Sequence, residues 1–165
     1  MKTHDAFCYL WNETEGGVNA EEFGSILVKF LVDKFLPHNS LTDHDKIIFY
    51  SDGCTSQNRN AVLSNALLNV AMTKRVTIEQ KYLEVGHTQM EADSMHATIE
   101  KKLRYKNVHL PADYEILCRQ ARKNPRPYDV SYLNHSLFKN FEDISFFKSI
   151  RPGRTKGDPK VIIVF

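Results

Sequence analysis

Short apolar runs and stretches of helical periodicity alternate along the first two-thirds of the chain. The apolar runs predict strands at Ala6–Asn12, Ile47–Ser51 and Val76–Val85, because short runs of β-branched and aromatic residues between turn signals are typical of strands. The Ile47–Ser51 run has no polar alternation. It therefore predicts a central strand that is covered on both faces and flanked by parallel neighbours.

Apolar residues spaced three and four positions apart predict helices between and after these strands. The expected helices run from Asn19 to Pro37, from Gln57 to Arg75, from Met90 to Arg104 and from Pro111 to Lys123. Strands that alternate with helices are typical of a three-layer α/β fold. A helical connection between two strands also favours their parallel pairing.

The last third of the chain has a weaker pattern. We expect two short β-like pieces, Tyr128–Leu133 and Phe146–Arg151, then a Gly/Pro-rich basic loop and a closing apolar strand, Val161–Phe165. This change of pattern predicts a core over residues 1–107 and a small, irregular, basic C-terminal extension over residues 108–165.

Charged residues are unevenly distributed, although the formal net charge is only +2. Residues 1–100 hold 8 Lys+Arg and 14 Asp+Glu, a balance of −6, and residues 101–165 hold 14 and 6, a balance of +8. A basic part beside an acidic part suits a metal-dependent enzyme that acts on a polyanion. Solvated basic surface without a partner is the alternative. The candidate nucleic-acid contacts are Arg119, Arg122, Lys123, Arg126, Arg151, Arg154 and Lys156.

Length and composition indicate one intracellular globular protein. A chain of 165 residues with 42% hydrophobic residues is enough for one core. No apolar run reaches about 18 residues, so no membrane partner is expected, and the start of the chain lacks the layout of a signal peptide. The scattered Cys8, Cys54 and Cys118 are typical of reduced thiols. The nucleus is a candidate compartment.

The first candidate site follows the Ile47–Ser51 strand directly. Asp52 and Gly53 come at its carboxyl end, and a cluster of small and amide residues leads into the next helix. Open α/β sheets place their sites at the carboxyl ends of strands. An aspartate at this position is also an ordinary turn residue, so Asp52 alone leaves both interpretations open.

A second acidic cluster lies on the predicted helix from Met90 to Arg104. Asp93, His96 and Glu100 are spaced i, i+3, i+7 and share one face, which is hard to explain as core packing. Glu22 is a further candidate near the start of the first helix. It also falls three residues after Asn19, which is the spacing of a capping box.

Four segments together carry a resemblance to a known family. They are CYLWNETEGG, EEFGSIL, YSDGCTSQNRN and GHTQMEADSMHATIEKK. These segments resemble a family of transposon-derived, uncharacterised multi-copy animal proteins, whose domain of unknown function is expected to have a ribonuclease H-like fold of the DDE-transposase type. The resemblance covers residues 6–105 well and the remainder loosely. It implies a three-layer fold with a mixed central sheet.

The resemblance implies two-metal phosphoryl transfer on DNA. Two Mg²⁺ or Mn²⁺ ions about 4 Å apart clamp the attacking and leaving oxygens in such sites, and these ions prefer carboxylate oxygens. Asp52 matches the fourth-strand acid and Glu22 the helix acid of ribonuclease H-like enzymes. Asp93 matches the acid on a later helix, with Glu91 as its substitute, and His87 would orient a ligand or a water molecule.

The chain also departs from the family pattern. The first acidic strand of the family precedes the CYLWNE strand, where this chain begins, so we expect a partial copy that lacks N-terminal strands and one metal ligand and is inactive alone. Two alternatives remain open. One is a non-catalytic descendant that binds nucleic acid or protein, and the other is a metallohydrolase that uses His87, Asp93 and His96 with a transition metal.

Overall fold

Strands and helices alternate in the part of the chain that the computed structural model describes, which comprises residues 5–42, 44–84, 86, 90–141 and 146–150. The strands are β1 (Phe7–Leu10), β2 (Lys46–Ser51), β3 (Thr77–Tyr82) and β4 (Asp129–Tyr132). The helices are α1 (Ala20–Lys29), α2 (Ala61–Lys74), α3 (Glu91–Leu103) and α4 (Pro111–Arg119). A π-helical segment, Phe30–Phe35, and a 3₁₀ turn, Leu36–His38, continue α1, and a second 3₁₀ turn spans His135–Leu137. The predicted α/β class is confirmed.

The chain divides into two compact units, and each combines an early and a late stretch of sequence. The first unit comprises Met1–Gly16 and Gln89–His135, and the second comprises Gly17–Thr88 and Ser136–Phe165. The predicted division near residue 107 cuts the chain once, within the first unit. Each unit therefore includes a segment from late in the sequence, and the order of local patterns along the chain does not predict this.

In the second unit, β2 and β3 form a parallel pair connected through α2. Ile47 lies opposite Ile78 in the register, and α1 packs against α2. The parallel pairing predicted from the helical connection is therefore confirmed. The buried aliphatic residues of this unit form one core cluster: Leu31, Ile47, Leu63, Leu67, Val70, Ala71 and Ile78.

The expectation that β2 is covered on both faces is wrong. Ile47 is 6% exposed, whereas Ile48 is 41% exposed and Tyr50 is 58% exposed. Within the described residues β2 pairs with β3 alone. The Lys81 ammonium lies 5.7 Å from the centroid of the Tyr50 ring, so a long charged side chain partly screens this face. Apolar side chains favour a strand even on its outer face. The unbroken apolar run at Ile47–Tyr50 therefore did not indicate that both faces of the strand are buried.

A buried amide fixes the last described segment of the second unit. Asn65 on α2 is 2% exposed. Its Nδ2 donates to the Phe147 carbonyl at 2.8 Å, and its Oδ1 accepts from the backbone N–H groups of Phe146 and Phe147 at 3.1 and 3.0 Å. Residues 146–150 form no strand, so the β-like piece predicted at Phe146–Arg151 is wrong over its described part. The backbone of Phe146 and Phe147 pairs with a side chain and not with another strand.

In the first unit, β1 and β4 form a second parallel pair. Cys8 lies opposite Val130 in the register, and β4 confirms the β-like piece expected at Tyr128–Leu133. The core of this unit combines Cys8, Ile99, Cys118, Tyr128 and Val130. Both described sheets are therefore parallel pairs, and the expected mixed central sheet is not observed among the described residues. The predicted strand Val161–Phe165 lies outside them.

Helix boundaries differ from the predictions for local reasons. Helix α2 begins at Ala61 and not at Gln57, because the Cys54 carbonyl accepts the N–H groups of Asn58 and Arg59 at 3.0 and 2.9 Å and holds them in a turn. The Asn60 side chain then caps the helix by accepting from Leu63 N–H at 2.9 Å. Helix α4 likewise ends before the predicted Lys123.

Candidate functional site

The best-defined candidate site is the Asp52 loop, residues 52–60, at the carboxyl end of β2. Asp52 is exposed, and its Oδ1 accepts from the Cys54 N–H at 3.2 Å and from Asn58 Nδ2 at 2.6 Å. The bond to a backbone N–H two residues ahead is an Asx turn. This arrangement leaves Asp52 Oδ2 without a hydrogen bond from any residue that the structure describes. The loop thus orients one carboxylate oxygen and leaves the other for a ligand.

Three side chains shape the surroundings of Asp52. The Arg59 guanidinium lies 5.2 Å from the centroid of the Tyr82 ring, and the Tyr82 hydroxyl donates to the Asn58 carbonyl at 3.4 Å. Burial raises the pKa of the Tyr82 hydroxyl above its usual value. Asn58 Oδ1 is buried and has no partner among the described residues, which leaves a hard amide oxygen beside Asp52.

Glu22, the predicted helix acid, is engaged at the start of α1. Its Oε1 accepts from the Gly17 N–H at 2.9 Å, and its Oε2 accepts from the Asn19 N–H at 3.0 Å. The second bond is the carboxylate half of a capping box, so the capping interpretation of Glu22 is confirmed. Both oxygens of this carboxylate therefore have structural partners.

The acidic face of α3 is solvated, and one of its carboxylates caps the helix. Glu91, Asp93, His96 and Glu100 are exposed. Asp93 Oδ2 accepts from the Met90 N–H at 2.7 Å, which satisfies one of the unpaired donors at the helix start. The resemblance also implies that the carboxylates of Asp52 and Asp93 lie close enough to share a metal ion. Asp93 lies in the first unit and Asp52 in the second, so this convergence stays a prediction. His87 lies outside the described residues.

Three of the arginines expected to contact nucleic acid have partners within the first unit. Arg119 pairs with Glu115 at 2.7 Å and donates to the Val130 carbonyl. Arg126 pairs with Asp5. Arg122 stacks on Tyr128, with its guanidinium carbon 4.3 Å from the ring centroid, and donates to the Arg126 carbonyl at 2.7 Å. Lys123 is exposed, whereas Arg151, Arg154 and Lys156 lie outside the described residues.

Sequence reasoning located Asp52 but missed the side chains that surround it. Asn58 and Arg59 belong to the SQNRN segment that the resemblance uses, yet only the folded loop places Asn58 on Asp52 and Arg59 over Tyr82. Tyr82 ends β3, whose register beside β2 brings it opposite Ser51. The parallel pairing was the available signal, because it places the ends of both strands at one edge.

Comparisons with known proteins assign no family to the chain. No family model, curated protein or solved structure matches the chain. Across the described residues, no three His, Cys, Asp or Glu side chains are grouped as metal ligands. None of the helices in that part of the chain is long and apolar enough to cross a membrane.

Proposed function

We propose that the chain is a transposase-derived, ribonuclease H-like domain in which Asp52 occupies the position of a metal-binding carboxylate. The ancestral reaction is phosphodiester cleavage or strand transfer on DNA. The observation that carries the proposal is the position of Asp52, which is exposed and directly follows a strand that pairs in parallel with its neighbour. Sites of open α/β sheets lie at this end of their strands.

The chemistry of the Asp52 loop fits a hard divalent cation that is shared with a nucleic acid. Mg²⁺ binds through one or two carboxylates and completes its coordination with water and substrate phosphates. Asp52 offers one free carboxylate oxygen, and Asn58 holds the other in place. A bound Mg²⁺ or Mn²⁺ ion would neutralise charge on a phosphodiester, and the chain's own part is to orient Asp52. Because a single carboxylate holds the ion, affinity without nucleic acid is weak.

We further propose that this chain alone does not cleave DNA at an appreciable rate. Glu22 and Asp93, which were the first choices to complete the site with Asp52, accept backbone hydrogen bonds at helix starts. Using either of them as a metal ligand would remove hydrogen bonds that cap a helix. Loss of a catalytic ligand costs orders of magnitude in rate, since each tenfold corresponds to about 1.4 kcal/mol of barrier.

Mn²⁺ binding tests the role of Asp52, because the paramagnetic ion broadens the NMR signals of nearby amides. In the wild-type chain we expect broadening centred on the Asp52 loop. Asp52→Asn should abolish it. Asp45→Asn is the matched control, because Asp45 is an exposed aspartate at the opposite end of β2 and should leave the broadening unchanged. Broadening that survives Asp52→Asn would overturn the proposed site.

A cleavage assay tests the second part of the proposal. We expect no Mg²⁺-dependent cleavage of plasmid or oligonucleotide DNA by the chain alone. Robust cleavage that Asp52→Asn abolishes would show a complete enzyme. Salt-dependent DNA binding without Mn²⁺ broadening at Asp52 would favour the alternative, a non-catalytic nucleic-acid-binding descendant.

A further inference from the structure

A groove on α3 has none of the candidate acids among its lining residues. It is lined by Ser94, Ala97, Thr98, Lys101 and Lys102 of the helix and by Ala121, which follows α4. Its volume is about 630 Å³. All of these residues belong to the first unit. No carboxylate of the described residues lines it.

Helical periodicity gives α3 three distinct faces. Ile99 is buried, and Met95 and Leu103 pack beside it against the core of the first unit. With 3.6 residues per turn, Asp93, His96 and Glu100 fall on one flank of this apolar stripe, and the groove residues fall on the other. The helix therefore separates its acidic flank from a flank that carries hydroxyls and ammonium groups.

The two lysines of the groove differ from the neighbouring arginines in having no ion partner. Arg119 and Arg126 pair with Glu115 and Asp5, whereas neither Lys101 nor Lys102 forms an ion pair with any residue in the described ranges. The Thr98 hydroxyl donates to the Ser94 carbonyl at 2.8 Å, so the groove's available donors are the Ser94 hydroxyl and the two ammonium groups. Lys102 is half-buried, which strengthens its attraction to an anion.

We propose that this groove binds the phosphodiester backbone of a nucleic acid, with Lys101, Lys102 and Ser94 as the contacts. That the ligand is a nucleic acid rests on the proposed function, whereas the position of the groove comes from the structure. Lysine and serine side chains are common contacts of phosphate oxygens. From Ser94 to Lys102 the helix rises about 12 Å, a length over which the three side chains can contact successive phosphates of one strand.

A polyanion with repeated phosphates fits the groove better than an acidic peptide does. Acidic peptide motifs are typically recognised by clusters of arginine side chains, which bind carboxylates in two-point contacts. The groove has no arginine among its lining residues, and its apolar lining residues are Ala97 and Ala121, whereas lysine binds phosphate as a point charge. Phosphate contact needs donors in a row, and the groove supplies them along one helix.

Fluorescence anisotropy with labelled DNA of arbitrary sequence, duplex and single-stranded, tests the groove. Affinity is measured at salt concentrations between about 50 and about 200 mM. For Lys101→Gln/Lys102→Gln we expect roughly tenfold weaker binding at low salt, with the slope of log K against log[salt] reduced by about 1 for each lysine. Lys101→Arg/Lys102→Arg should retain binding because the charge is kept.

The matched control is Lys74→Gln/Lys148→Gln, which removes two exposed lysines of the second unit. It should change affinity much less. An equal loss in both double variants would overturn the groove, because binding would then depend on overall charge. Binding of an acidic peptide in place of DNA, with the same dependence on Lys101 and Lys102, would also overturn the proposal.

Chemical protection of the wild-type chain provides a readout that needs no variant. Lysine acetylation is followed by mass spectrometry with and without duplex DNA, and Lys101 and Lys102 should be protected more than Lys74 and Lys148. Unprotected groove lysines under saturating DNA would overturn the groove while leaving the Asp52 proposal intact. Conversely, protection of these lysines together with an absent Mn²⁺ effect at Asp52 would leave the groove standing and refute the proposed metal position.

Discussion

The two parallel strand pairs of the protein are stabilised by different chemistry. β2–β3 rests on an aliphatic cluster that includes Leu67 and Ile78. β1–β4 rests on a core that combines the thiols of Cys8 and Cys118 and the ring of Tyr128 with aliphatic side chains such as Val130. Removing aliphatic volume should therefore damage the second unit most, whereas removing protons from buried thiols should damage the first.

The largest effect is expected on β2, where neighbouring isoleucines face opposite sides. Ile47→Ala should lower the free energy of unfolding by about 2–5 kcal/mol, because it leaves a cavity in the aliphatic cluster. Ile48→Ala is the matched control and should cost less than about 1 kcal/mol, since Ile48 is 41% exposed. Urea unfolding of both variants checks this. Equal losses would mean that β2 is covered on both faces after all.

The next effect concerns the amide that holds the late segment of the second unit. Asn65→Ala removes three hydrogen bonds to the backbone of Phe146 and Phe147, and each buried group left unpaired costs about 1–3 kcal/mol. We expect a total loss of about 3 kcal/mol, because water will reach some of the freed groups. Asn69→Ala, one turn later on the exposed side of α2, should change stability by less than about 0.5 kcal/mol. Similar losses of stability in both variants would show that Asn65 does not hold the Phe146–Phe147 segment in place.

The contrast between the two strand pairs also explains what the sequence could predict of the fold. β2, α2 and β3 follow one another, so local periodicity was sufficient to predict their order and parallel pairing. β1 and β4 are separated by most of the chain, and no local pattern specifies which distant strand pairs with β1. The hydrogen bonds of Asn65 could not be predicted for the same reason. They join α2 to a segment some eighty residues later, and an asparagine on a helix carries no signal for such a partner.

The candidate site was predictable to a similar extent. An apolar run followed by Asp52 and Gly53 located the loop, because the strand end is a local feature. The partners of Arg119, Arg122 and Arg126 were not predictable, since Val130, Tyr128 and Asp5 approach these arginines only in the folded unit. Counting basic residues therefore overestimated the charge available to a polyanion.

A smaller effect distinguishes capping from metal binding at Glu22. Both interpretations place a carboxylate at this position, but they predict opposite effects on stability. As a cap, Glu22→Gln should cost about 1 kcal/mol, because glutamine has one acceptor oxygen and can accept only one of the N–H groups of Gly17 and Asn19, without the carboxylate charge. Glu21→Gln is the control in the same helical turn and should cost less. An unchanged or raised free energy of unfolding would instead indicate a carboxylate kept for function at the expense of stability.

The same measurement on Asp93 extends the test to the first unit. Asp93→Asn should cost slightly less than Glu22→Gln, because Asp93 accepts one backbone hydrogen bond, from Met90, and Glu22 accepts two. Thermal unfolding followed by circular dichroism compares the two variants. A stabilised Asp93→Asn variant would restore Asp93 as a candidate metal ligand.

A loss of stability at alkaline pH is also expected, and it should be confined to the first unit. Burial raises the pKa of the Cys8 thiol to about 11, and the nearby Cys118 adds to the shift, whereas a thiol in an unfolded chain titrates near pH 8.5. The protonated thiol therefore contributes its full stabilisation below about pH 8.5, and this contribution is lost as the pH rises through about 11.

Trp11 makes this loss measurable, because it is the only tryptophan of the chain and lies in the first unit. The urea midpoint read from Trp11 fluorescence should fall between about pH 9 and pH 11. Cys8→Ala should flatten that fall, and comparing the two proteins cancels the contribution of ionisable groups that the substitution does not affect. If the wild-type and Cys8→Ala midpoints fall in parallel, the thiols do not govern the first unit, and the proposed difference between the two strand pairs is wrong.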